Sequence, residues 1–145
     1  MGSNMDEVAA ATKDVDLTAM RALICDKVDQ FVESNFDLLF AALCTEDGFV
    51  VYHRNSRRIS VLEDRLAAIS SSLLALAEAS MESIGSGKFS RTVVEAENGH
   101  MSVVRANIQG QQVVLSVAST RRLSVGKTLY LTERLAADLT APSFP

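Results

Sequence analysis

Residues 88–120 read KFSRTVVEAENGHMSVVRANIQGQQVVLSVAST, and the reading of this stretch decides the fold. Two dipeptides, Asn98-Gly99 and Gln109-Gly110, interrupt runs rich in β-branched residues. Glycine tolerates the left-handed backbone that a two-residue hairpin turn demands, so both dipeptides predict tight reversals. Strands are expected at about 89–96, 100–108 and 112–119. Connections this short leave only an antiparallel meander, because a parallel neighbour needs a crossover of roughly a dozen residues or more.

Upstream, FDLLFAALCTEDGFVVYH (36–53) holds two apolar runs split by TEDG. Asp47-Gly48 is again a hairpin signal, giving strands at about 37–45 and 49–53. Helical periodicity frames these strands. Leu17, Met20, Leu23/Ile24, Lys27/Val28 and Phe31 predict a first helix from Leu17 to about Glu33, with Asp16 as its cap. A second helix is expected up to Ile84, opened by Ser60 with Glu63 completing a capping box and closed by Gly85. A third runs from Val125 to about Leu139 behind Ser124, with Leu129, Leu131, Leu135 and Leu139 as its apolar positions. The order α-β-β-α-β-β-β-α predicts an α/β (α+β) domain, one five-stranded antiparallel sheet with helices on its faces. Residues 1–15 read as a lead-in, 16–140 as the domain and 141–145 as a loose tail.

Composition narrows the function classes. The chain has 145 residues, a net charge of −4 and no Lys/Arg-rich block, which disfavours a nucleic-acid surface. No apolar run approaches the roughly 20 residues of a membrane span, and the N-terminus lacks the order of a signal peptide. Cys25 and Cys44 sit among apolar neighbours and read as reduced thiols of a cytoplasmic protein. SVGKT at 124–128 resembles the end of a phosphate-binding loop, but Arg121 stands where that loop needs glycine. His53 and His100 lack neighbours at metal-ligand spacing and read as solvent-facing strand residues. Ser70, Ser71 and Ser72 lie mid-helix, outside any nucleophile elbow. Glu46 with Asp47, and Glu95 with Glu97, read as turn and strand-end acids. No catalytic residue, metal or cofactor is assigned.

The second helix, containing RLAAISSSLLALAEASMESIG (65–85), carries a single formal charge between Leu66 and Met81, Glu78. At 100° per residue, Leu62, Leu66, Ile69, Leu73, Leu76 and Ile84 form the expected sheet-facing stripe. The remaining surface holds the small residues Ala68, Ser72, Ala75 and Ala79, with Ser71, Leu74 and Met81 on the flanks and Glu78 and Glu82 as its acids. Small, weakly charged faces let another helix approach closely. The strand FSRTVVEAE is expected at a sheet edge, where Phe89, Arg91, Val93 and Glu95 would meet a second chain. These residues define a candidate interface between two copies.

Taken in order, LLFAALCTEDGFVVYH, RLAAISSSLLALAEASMESIG, FSRTVVEAENGHMSVVRANIQGQQVVLSVAS and the helix with LYLTERLAADL resemble the Roadblock/dynein light chain family across roughly residues 17–140. The resemblance implies a profilin-like fold, dimerisation through the third strand and second helix, and no active-site residues. Bacterial MglB-type members of that family are partners of small Ras-like GTPases, and eukaryotic members serve as motor light chains or scaffolds. The resemblance therefore implies two partners, a second copy of the chain and a small Ras-like GTPase. The alternative it leaves is a light-chain-like adaptor without a GTPase. No arginine lies between Leu66 and Ile84, so an arginine finger from this helix is not expected; Arg121 and Arg122 lie elsewhere.

Overall fold

Glycine-bearing turns set the hairpins in the computed structural model, which describes residues 20–140. Strands β1 (Leu38–Thr45) and β2 (Val50–Asn55) are joined by a turn whose Gly48 has φ +95°. There the Thr45 N–H donates to the Phe49 carbonyl at 2.8 Å and the Gly48 N–H to the Thr45 carbonyl at 3.2 Å. The hairpin between β4 (Gly99–Ile108) and β5 (Gln111–Thr120) turns on Gln109 and Gly110, with φ of 50° and 85°. Both central residues are left-handed, the requirement of a type I′ reversal.

The third turn departs from the expectation. Strand β3 (Arg91–Ala96) meets β4 with Ala96 opposite Gly99, so the reversal lies at Glu97 and Asn98 rather than at Asn98-Gly99. Gly99 is a strand residue with another duty. A Cβ there would lie 2.6 Å from the Ser119 carbonyl oxygen, closer than real Cβ atoms come.

All strand pairs are antiparallel and the sheet order is β2-β1-β5-β4-β3. Strands β2 and β3 are therefore the two edges. Helix α1 is described over residues 20–33, its predicted start at Leu17 and cap Asp16 lying outside the described residues, as do the lead-in 1–15 and the tail 141–145. It packs with α3 (Val125–Thr140) on one face of the sheet. Met20, Ile24, Val28 and Val32 of α1 and Leu135, Ala136 and Leu139 of α3 close over Leu43, Val104, Leu115 and Val117. Ser124 caps α3, accepting from the Lys127 N–H at 3.0 Å. The expected apolar line of α3 is amended: Thr128 and Thr132 are fully buried against the sheet while Leu129 and Leu131 are half-buried. The Thr132 hydroxyl donates to the Thr128 carbonyl at 2.7 Å, which removes the penalty of burying it.

Helix α2 (Glu63–Ser83) crosses the opposite face alone. It ends as predicted: Gly85 (φ +68°) donates to the Glu82 carbonyl at 3.0 Å and Ser86 to the Met81 carbonyl at 3.0 Å, a Schellman cap. Its start is not the predicted capping box. Leu62 occupies the cap position and no side chain bonds the helix there.

Tyr52 ties β2 to α1, its hydroxyl donating to Asp29 at 2.6 Å. That bond, with smaller contributions from burial and the Asp29 charge, pushes the phenol up to about 12. Because the folded value lies above the unfolded value of roughly 10, this bond stabilises fully below pH ~10 and is lost as pH rises towards 12. Tyr52→Phe is expected to lower stability by about 1 kcal/mol at pH 7. The difference between the two proteins in urea unfolding should vanish as the pH is raised through that window.

Candidate interaction surface

One helix cannot cover this sheet. Five strands at about 4.8 Å spacing span roughly 24 Å, whereas a helix with its side chains is about 10–12 Å wide. The α1/α3 face has two helices and is closed; the α2 face has one. Serines let α2 approach the sheet closely: Ser70 is buried and its hydroxyl lies 3.4 Å from that of Ser116 on β5. Leu66 packs with Phe40, Ala42 and Cys44, and Leu74 with Val103, Val114 and Phe89. Burial pushes the Cys44 thiol upward, the Ser70 bond opposing and the Glu63 charge adding to the rise. A charge cluster pins the helix further on. Arg105 of β4, with a side chain only 16% exposed, pairs with Glu78 of α2 and reaches Glu46 of the first turn at 3.1 Å.

The expected sheet-facing stripe is corrected by these contacts. Leu62, Ile69, Leu76 and Ile84 are exposed at 68%, 38%, 66% and 68%, and the inward line is Leu66, Ser70 and Leu74. Leu62, Ile69 and Leu76 recur every seven residues, so they stand along one side of the helix. That side looks toward the uncovered part of the sheet. Between them runs a groove of about 410 Å³ lined by Phe40, Leu62, Leu66, Ile69 and Met101. It continues over Phe40, Met101 and Ala118 to Val94 on the edge strand β3. The helix surface is also less polar than its composition implies. The hydroxyls of Ser80 and Ser83 donate to the carbonyls of Leu76 and Ala79, each at 2.7 Å.

The Roadblock/LC7 domain family matches residues 26–116, from α1 through most of β5. The chain belongs to the Roadblock/LC7 family. A search of curated proteins by sequence finds no match. Among solved structures, an MglB with tetrameric arrangement is 20% identical over 83% of this chain and 88% of its own, with a TM-score of 0.71. A Roadblock/LC7 domain from Streptomyces avermitilis is 23% identical over 79% and 92%, with a TM-score of 0.66. The profilin-like character expected from the sequence is borne out by LokiProfilin1 in its rabbit actin complex, 16% identical over 82% and 95% with a TM-score of 0.51.

Within this Roadblock chain the residues singled out from the sequence separate into distinct groups. Ala68, Ser72, Ala75 and Ala79 are exposed on the back of α2, with Glu82 beside them. Ser71 packs at the first turn, its Cβ 3.1 Å from where a side chain on Gly48 would begin. Leu74 and Phe89 are buried in the protomer's own core, and Met81 and Glu78 are half-buried. Arg91, Val93 and Glu95 share one face of β3, the α3 side, where Arg91 pairs with Glu133. The exposed ridge of Ile69 and Leu76 was assigned to the sheet from periodicity. Its seven-residue spacing was the signal that could have marked it as a helix-pairing seam.

Two polar features complete the Roadblock fold. His100 is buried rather than solvent-facing, because its strand position points it at α3. Its Nε2 lies 2.7 Å from the Thr128 hydroxyl and 2.8 Å from that of Ser119, and the two hydroxyls lie 2.9 Å apart. These groups satisfy one another across β4, β5 and α3. Cys25 and Cys44 are free thiols. Among the described residues no group of His, Cys, Asp and Glu has the makings of a metal site, and no helix is long and apolar enough to cross a membrane.

Proposed function

We propose that this chain is a non-catalytic homodimeric regulatory module that binds and modulates a small Ras-like GTPase. The observation that carries the dimer is the uncovered half of the α2 face, bordered by Leu62, Ile69 and Leu76 on one side and the open edge of β3 on the other. A second α2, brought in by a second copy, supplies the missing helix and buries that ridge. The two helices then lie side by side on a continuous sheet. Their outward backs, Ala68, Ser72, Ala75 and Ala79, form a shallow small-residue surface for the GTPase.

The GTPase follows from membership of the Roadblock/LC7 family together with the resemblance to its MglB-type members. Because the back of α2 carries no arginine from Leu66 to Ile84, the proposed action is to hold the GTPase's own catalytic residues in place. Arg121, bound to the Glu97 carbonyl at 2.9 Å, is held by the β3–β4 turn.

Pull-down with a small Ras-like GTPase from the same genome, loaded with GDP or with a non-hydrolysable GTP analogue, tests this reading. Preferential capture of one nucleotide form is expected, reduced at least about tenfold by Ala75→Arg, which places a bulky charge on the small face. Equal or absent capture of both forms overturns the GTPase role and leaves the adaptor without a GTPase.

A further inference from the structure

The free edge of β3 is complementary to itself in charge. The Arg105 main-chain N–H donates to the Ser90 carbonyl at 3.0 Å, so Ser90 and every second residue after it turn their main-chain groups toward β4. The main-chain groups of Arg91, Val93 and Glu95 therefore point away from the sheet, free to pair with another strand. Their side chains stand on the α3 face, as their partners Val104, Ser102 and His100 show.

We propose that two copies join antiparallel through this edge with the twofold axis at Val93, so that Arg91 of each copy lies directly opposite Glu95 of the other. This rests on the homodimer reading above and adds its register. A twofold at Val93 sets all three outward-pointing residues in hydrogen-bonded pairs, Val93 against its own copy and the two charges against their opposites. On the α2 face it sets Thr92 opposite Val94, covering a valine that is 42% exposed in the protomer.

Other registers are poorer for stated reasons. An axis at Arg91 sets arginine against arginine, and one at Glu95 sets glutamate against glutamate; like charges directly opposite are unfavourable. An axis at Thr92 leaves Arg91 opposite Val93. One at Val94 leaves Glu95 opposite Val93 and reaches Glu97 only in the turn, beyond the strand. A shift by one residue faces outward groups with inward ones and removes the ladder. The same pattern favours a second identical chain over a relative with a different edge.

The test is a charge swap in a Glu133→Gln background, which removes the intramolecular pair that Arg91 makes with α3. Arg91→Glu and Glu95→Arg each place like charges at both symmetric positions and are expected to weaken self-association on the order of 30-fold at low salt. The double variant restores opposite charges and should return to the parent dissociation constant in sedimentation equilibrium. An equimolar mixture of the two single variants should form the mixed dimer in preference to either homodimer. Single variants that associate like the parent, or a double variant that fails to recover, overturn the register while a dimeric parent leaves the homodimer standing. A monomeric parent removes both.

Discussion

Leu76→Arg is expected to turn the dimer into a folded monomer. In the protomer Leu76 is 66% exposed and touches none of the core clusters, so an arginine there projects into water at little cost to stability. In the proposed dimer the same position lies on the seam between the α2 helices, and the twofold repeats the substitution. Burying an unpaired charge against an apolar ridge costs about 3–5 kcal/mol, equivalent to a loss in affinity on the order of a thousandfold. Sedimentation velocity at micromolar concentration should show the parent as a dimer and the variant as a monomer, with unchanged circular dichroism. Ala75→Arg, one residue away on the back of the helix, is the informative contrast. It should retain the dimer and lose the GTPase. A Leu76→Arg protein that remains dimeric would exclude this flank of α2 as the seam.

Substitution of Gly99 is expected to be the most damaging of the turn-region glycine changes. Asparagine is the appropriate probe because it accepts left-handed backbone while carrying a Cβ. At Gly110, where φ is 85° and nothing lies within 4 Å of an added Cβ, Gly110→Asn should change stability by less than about 1 kcal/mol. At Gly99 the backbone is not left-handed, but the added Cβ meets the Ser119 carbonyl oxygen at 2.6 Å. That oxygen belongs to β5, which is held between β1 and β4, and cannot move without disturbing both ladders. Gly99→Asn should therefore cost about 2–3 kcal/mol, the range of overpacking a filled site. Urea unfolding at one fixed protein concentration measures both, since self-association raises apparent stability. Equal costs at the two positions would show that Gly99 serves the turn and not the close approach.

Local signals in the sequence carried most of the elements because their causes are local. Gln109-Gly110 and Asp47-Gly48 require left-handed backbone within one or two residues, and Gly85 ends a helix by bonds to its own last turn. Ser124 caps α3 for the same reason. Ser60 did not cap α2, and Asn98-Gly99 did not form the turn centre, because contacts with other elements competed with those local preferences. The alternation of β4 and β5 marked both faces of a buried strand pair without saying which helix would cover each.

What the sequence by itself determined is the order of elements, the antiparallel meander and the presence of a helix with more apolar surface than one sheet contact consumes. Only the tertiary structure decided which side of that helix turns inward. Two adjacent lines on α2 are both apolar enough to meet a sheet, and a period of 3.6 residues cannot rank them. The choice fell to Leu66, Ser70 and Leu74 because Ser70 fits against Ser116 at close approach and Glu78 reaches the buried Arg105, contacts between residues far apart in the chain. Leu62, Ile69 and Leu76 were left outside, beside a sheet half of whose face one helix is too narrow to cover.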